Sequence, residues 1–187
     1  MRIFTFDSTK SDTSEAFAEM RVQLDEQCPV PSFVFAATNS VHDAETVRQE
    51  LAQLSAHSVH AASSCLGTMT NAADLTQNDF GVAIFAIDDP AGDYGSGFQA
   101  IETDARAAAA QATRDALRSA DRAGEIPNVV WVTATPGQEE AILNGIEDVI
   151  GGDVPIIGGS AADNSVNGDW YVATSEMSGQ TAVVVSV

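Results

Sequence analysis

The segment Pro31-Ser32-Phe33-Val34-Phe35-Ala36 is answered about 96 residues later by Pro127-Asn128-Val129-Val130-Trp131-Val132. Val59-His60-Ala61-Ala62-Ser63-Ser64 is answered at the same spacing by Pro155-Ile156-Ile157-Gly158-Gly159-Ser160, with no gap between the two pairs. Two copies of one supersecondary unit can bury a shared core and leave a cleft at their seam. Function is therefore expected where the two small-residue segments end.

Each copy reads as a strand-helix-strand-helix-strand-strand unit. The first has a strand at Ile3–Phe6 and a helix over about Asp12–Gln27. Ser11 or Asp12 caps that helix, Glu15 falls in its first turn, and Ala16, Phe17, Met20 and Leu24 form its apolar face. Phe33–Ala37 is a strand, and Ser40-Val41-His42-Asp43 has the form of a capping box opening a helix with Val47, Leu51 and Leu54. Strands follow at Ser58–Ser63 and Phe80–Ile87. The second copy has a strand near Gly97–Ile101, an alanine-rich helix over about Asp104–Ala123, and a strand at Val129–Thr133. Its next helix is opened by Thr135-Pro136-Gly137-Gln138, and strands follow at Val154–Ile157, Trp170–Ala173 and Thr181–Val187. Near-continuous apolar strands joined through helices imply parallel pairing, with the trailing strands added antiparallel. The fold class is α/β, mixed sheets covered by helices and built from two pseudo-symmetric copies, about 1–88 and 95–187, within a single domain spanning 1–187. Leu66–Asp79 reads as a loop long enough to act as a lid or binding loop.

The 187 residues carry 27 acidic and 8 basic side chains, a net charge of −19, with Lys10 the only lysine. Such a surface repels phosphate backbones and anionic lipid, so nucleic acid is not an expected partner, and the excess acid reads either as adaptation to a salt-rich or marine source or as an acidic patch built for a cationic partner. Cys28 and Cys65 are too few for a disulfide framework. The Met1-Arg2-Ile3-Phe4 start lacks the charge and apolar pattern of a signal peptide, and no apolar run is long enough to insert in a membrane. A cytoplasmic location is expected.

Both small-residue segments leave the sheet on the edge where the helices after Ser40 and Thr135 begin, so a ligand or another backbone can approach closely there. That edge offers the hydroxyls of Ser63, Ser64, Thr68 and Ser160, the thiol of Cys65, the carboxylate of Asp163, the imidazole of His42 and the bare backbone of Gly67, Gly158 and Gly159. Helix N-termini favour an anionic group, which makes a ligand carboxylate the natural guest. A Ser64 or Cys65 hydrolase needs a base within hydrogen-bond reach. His60 stands roughly 13 Å along an extended strand from Ser64, which leaves only His42. No catalytic residue and no metal ligand is assigned, because Gly-x-Ser-x-Gly, His-x3-His and Cys-x2-Cys patterns are absent. Trp131 matches Phe35 and is expected in the core, whereas Trp170-Tyr171 lines or covers the cleft.

Taken in order, the first helix, Phe33–Thr38, Ala61–Gly67, Gly81–Ile87 and above all Val154-Pro155-Ile156-Ile157-Gly158-Gly159-Ser160-Ala161-Ala162-Asp163 resemble the FIST N-terminal domain, a sensory module of bacteria and archaea. The resemblance implies a noncatalytic role in signal transduction. It implies a small ligand such as an amino acid or another carboxylate, held between the two repeats, and a partner such as a histidine kinase, a cyclic-di-nucleotide enzyme or a chemotaxis protein. Many members carry Gly-Cys-Ser/Thr-Thr-x-Gly where this chain has Ala62-Ser63-Ser64-Cys65-Leu66-Gly67, so its thiol sits two places later. The family's usual C-terminal partner domain lies outside these residues, as in an excerpt or a stand-alone receiver. Some members resemble haem-binding nitric-oxide sensors, which would require an axial ligand from His42, His57 or His60.

Overall fold

The computed structural model describes residues 1–65, 67–68 and 80–187; apart from Gly67 and Thr68, the expected lid at Leu66–Asp79 lies outside them. In chain order the elements are β1 (Arg2–Ser8), α1 (Thr13–Gln27), β2 (Phe33–Asn39), α2 (Ala44–Leu51), β3 (Ser58–Ser64), β4 (Val82–Asp88) and β5 (Ser96–Ala100). They continue with α3 (Ala105–Ser119), β6 (Val130–Ala134), α4 (Glu139–Ile150), β7 (Ile156–Ser160), β8 (Val172–Ala173), β9 (Ser178–Gly179) and β10 (Ala182–Ser186). The chain is α/β with two mixed sheets, ordered β1-β4-β2-β3-β8-β9 and β5-β10-β6-β7. The strands joined through α2 and α4 pair in parallel, β2 with β3 and β6 with β7. β4 and β10 run antiparallel to their neighbours, as the apolar pattern implied.

Side-chain alternation explains the layering. Val34, Ala36, Val59 and Ala61 turn one way, into a core with Phe17, Met20 and Leu24 of α1 and Val47 and Leu51 of α2. Val130, Val132, Val183 and Val185 do the same toward Ala109, Ala112 and Ala116 of α3 and Ile142 and Ile146 of α4. The opposite faces of the two sheets meet in a third cluster of Ala62, Val172, Ala182 and Val184, flanked by Phe35 and Phe98. The result is helices, sheet, sheet, helices. Trp131 is in this middle layer, its ring centroid 4.7 Å from Phe35, 5.7 Å from Phe85 and 6.0 Å from Phe33. Close approach of β5 to α3 depends on Gly97, where a Cβ would stand 2.1 Å from the carbonyl oxygen of Ala112.

Asp12 caps α1 by accepting from Glu15 N at 2.9 Å, and the four predicted apolar residues are buried. Two other helix starts lie later than the capping patterns suggest. α2 is capped by Asp43, whose Oδ1 accepts from Thr46 N and Thr46 Oγ1, while Ser40 Oγ accepts from Asn164 N. α4 starts after Gln138, and Thr135, the expected cap, continues the sheet by donating its N–H to Ala182 O. α3 stops at Ser119, short of Ala123, with Asp121 in the left-handed region at φ 57°.

The gapless 96-residue spacing does not survive pairing. Val34 pairs with Val59 and Val130 with Ile156, so β2 maps onto β6 at 96 residues and β3 onto β7 at 97. The pairing thus sets Ser63, not Ser64, opposite Ser160 in the two sheets, since Thr38 pairs with Ser63 and Ala134 with Ser160. Among the described residues, the hairpin β8–β9 has no counterpart in the first half of the chain. It adds to the first sheet through β3, which brings Tyr171 into the first core, its hydroxyl bonded to Thr38 Oγ1.

A polar chain crosses the middle layer. Ser58 Oγ lies 2.6 Å from Ser96 Oγ, Ser96 Oγ 2.7 Å from Ser186 Oγ, and Ser186 Oγ 2.9 Å from His60 Nδ1, while His60 Nε2 bonds Thr133 Oγ1. His60 is fully buried and desolvation pushes its imidazole down to about 3, so it stays neutral with both nitrogens satisfied by hydroxyls.

Candidate functional site

The ends of β3 and β7 converge, and the chain itself closes the junction. Ser63 O accepts from Ala162 N at 3.0 Å, Ser63 Oγ donates to Ala162 O at 2.9 Å and accepts from Tyr171 N at 2.8 Å, and Ser63 N donates to Tyr171 O at 2.9 Å. Every polar group of buried Ser63 is thereby engaged. Asn39 and Asn164 exchange amide hydrogen bonds across the same seam. Ser64 Oγ donates to Gly67 O at 3.0 Å, tightening the turn that leads past exposed Cys65. Thr68 lies against Gly81, where a Cβ would come 2.6 Å from Thr68 Oγ1.

Asp163 and His42 hold loops together. Buried Asp163 accepts from the N–H groups of Ser165 at 2.8 Å and Asn167 at 3.2 Å on Oδ1, and from those of Gly168 at 2.8 Å and Asp169 at 3.0 Å on Oδ2. Desolvation works to raise its carboxyl, but these donors outweigh it and the net direction is down. His42 is buried, with Nε2 2.8 Å from Phe80 O and Nδ1 2.9 Å from Thr13 Oγ1. A carbonyl only accepts, so Nε2 donates to Phe80, while Nδ1 is engaged by the Thr13 hydroxyl. His42 therefore bonds neither Ser63 nor Ser64, the partnership a nucleophile would need.

Gly158, Gly159 and Ser160 extend β7, although glycine favours neither strand nor burial; pairing with β6 holds them there. Gly158 has φ 141°, and a Cβ on it would fall 1.7 Å from Val132 O, so only glycine fits so close to β6. On the helix side of this strand lies a groove of about 270 Å³, walled by Val132, Ile142, Leu143 and Ile156 and floored by Gly158. Glu139, the first residue of α4, stands at its mouth. Its Oε1 accepts from Gly137 N at 3.0 Å and from Ser160 Oγ at 2.7 Å. The Gly137 N–H, then the Ser160 hydroxyl, hold the Glu139 carboxyl below its ordinary range, so it is ionised. The position foreseen for a ligand carboxylate at this helix N-terminus is thus taken by the chain's own, as Asp43 takes the one at α2. Sequence reasoning missed Glu139; its one signal was a carboxylate in a first helical turn two residues after a glycine.

A haem would need an axial imidazole. His42 and His60 each have both ring nitrogens bonded within the fold, and His57 is exposed beside the buried start of β3. Neither buried ring can turn to iron without stranding the groups that hold it, so His42 and His60 do not fit the group. Among the described residues, no helix is long and apolar enough to cross a membrane.

No curated protein matches the chain in sequence. The family model for the FIST N domain matches residues 32–187, which takes in β2 through β10 and the whole β7–α4 groove. The chain belongs to the FIST N domain family, a family of the sensory and signalling type.

Proposed function

We propose that this chain is a noncatalytic sensory domain whose ligand is a small amine with an apolar body, bound in the groove between β7 and α4. The observation that carries the reading is Glu139. Its bonds from Gly137 N and Ser160 Oγ both fall on Oε1 and its own N–H supports the carboxylate as well, so among the described residues Oε2 takes no bond from another residue while the ionised group stands at the mouth of an apolar groove. An ammonium group on Oε2 forms a charge-assisted hydrogen bond while the alkyl chain lies along Ile142 and Ile156. The groove's only described ionised group is that carboxylate, so a free α-carboxylate on the ligand finds no cation there. Of the residues singled out in the sequence, Gly158, Gly159 and Ser160 belong to this site. Ser63, Ser64, Gly67, Thr68, Asp163 and His42 support it by fixing the junction, and Cys65 lies on the surface beside that junction. Ligand occupancy then shifts the α4 N-terminus against the Ser160 end of β7, and a signalling partner reads the difference.

Isothermal calorimetry with isoamylamine and with leucine, which share a side chain, tests the assignment. Isoamylamine is expected to bind and leucine to bind more weakly. Glu139→Gln removes a charge-assisted contact and costs about tenfold or more in affinity. Binding of neither compound, or amine affinity unchanged in Glu139→Gln, overturns the reading.

A further inference from the structure

β7 is the edge of the sheet β5-β10-β6-β7. Ala161 N donates to Ala134 O and Pro155 O accepts from Val130 N, so alternation along the ladder turns the N–H and C=O groups of Ile156, Gly158 and Ser160 away from β6. Among the described residues no strand pairs with that side. Exposed edges are commonly blunted by charge, proline or a covering element. From Ile156 to Ser160 there is no charged side chain, Ile157 to Ser160 are all exposed, and Ile157 shows 48% of its surface to solvent. The other long edges are guarded: β1 carries Arg2, paired with Asp88, and α3 presses on β5 at Gly97. The segment that holds β7 carries acidic but no basic side chains, and Arg106, which lies beside Glu139 at the start of α4, is paired with Asp148. Every Lys and Arg of the chain lies at or before Arg122, while residues 123–187 hold nine Asp and Glu, Glu139 and Asp153 among them. A second copy of this edge would bring like charge to like, whereas a cationic segment is attracted.

We propose that the free edge of β7 accepts an extended, cationic segment of a partner protein as an added strand. Main-chain hydrogen bonds to Ile156, Gly158 and Ser160 supply the pairing, and alternate side chains of the guest fall toward the α4 groove and toward Ile157. Glycines at 158 and 159 leave room, since a Cβ on Gly159 would meet no atom within 4 Å. The inference concerns the backbone edge and does not depend on an amine occupying the groove.

The probe is a capped hexapeptide of alternating Lys and Val, compared with a Glu-Val hexapeptide and with the same Lys-Val hexapeptide methylated at every backbone nitrogen, which has equal charge but no main-chain donor. Amide hydrogen exchange by NMR reads the result. The Lys-Val peptide is expected to slow exchange at Ile156, Gly158 and Ser160, the Glu-Val and N-methylated peptides to leave it unchanged. The variant Ile157→Lys with Gly159→Lys places gatekeeping cations at two open positions and is expected to weaken Lys-Val binding roughly tenfold or more. Ile126→Lys, a distant exposed site, should not. Equal protection by the N-methylated peptide, protection elsewhere or nowhere, undiminished binding to the double variant, or self-association through β7 would each overturn the proposal. Amine calorimetry on Glu139→Gln reports on the groove alone, so failure of one assignment is separable from failure of the other.

Discussion

His60 offers a quantitative test of the middle layer. The ring is fully buried between the sheets, and burial pushes its imidazole down to about 3, whereas in the unfolded chain it titrates near 6.5. Because the folded value is the lower one, the unfolded chain takes up a proton that the native chain refuses. The stability His60 contributes is present above about pH 6.5 and is lost progressively as pH falls toward about 3. At about pH 5 the medium is roughly one and a half pH units below the unfolded value, and about 1.4 kcal/mol per pH unit gives a loss of about 2 kcal/mol relative to about pH 8. His60→Leu removes this titration at similar volume. At about pH 8 it strands Thr133 Oγ1, at a cost of about 1–3 kcal/mol, while Ser186 keeps its bond to Ser96. Urea unfolding of both proteins at the two pH values isolates the effect, since the other titrating groups cancel in the difference. The gap between wild type and His60→Leu should shrink by about 2 kcal/mol from about pH 8 to about pH 5. Parallel pH dependence in the two proteins would mean that the native ring is solvated or charged, and the account of the sheet-to-sheet network would be wrong.

Gly97→Ala pushes a methyl group against the carbonyl oxygen of Ala112, 2.1 Å away, so it should destabilise the fold by about 1–3 kcal/mol in chemical denaturation, with amide exchange rising in α3. Asp163→Asn weakens a carboxylate that gathers four backbone N–H groups. Its melting temperature should drop at neutral pH, and the gap from wild type should close in acid, because a carboxyl held low contributes stability only above its folded range. With a net charge of −19, melting temperature should climb as KCl rises through the range where repulsion is screened, and a salt-independent midpoint would contradict that reading.

The order of strands and helices, the parallel and antiparallel senses, and the buried face of α1 were legible because they follow from side-chain period and capping chemistry. Boundaries slipped where local chemistry had two outlets. Thr135 and Ser40 carry cap residue types yet serve the sheet and a bond to distant Asn164, and Gly158-Gly159-Ser160 reads as leaving the sheet yet pairs with β6. The β8–β9 hairpin was half visible, since Trp170–Ala173 reads as a strand, but nothing local says that it joins a sheet built from the other half of the chain. At the candidate site, small residues announced the convergence of two strand ends. Whether Ser63 and Asp163 face a guest or their own backbone depends on which distant N–H groups arrive there, and no spacing in the sequence encodes that.

The most direct test of the sensory site is the position of a bound amine. In an NMR complex with isoamylamine, the account predicts intermolecular NOEs from the ligand methyls to the side chains of Ile142 and Ile156, together with a shift of the Glu139 side-chain carboxyl resonance. NOEs to residues of the Ser63–Ala162 junction instead, or an unperturbed Glu139 in a saturated complex, would contradict it.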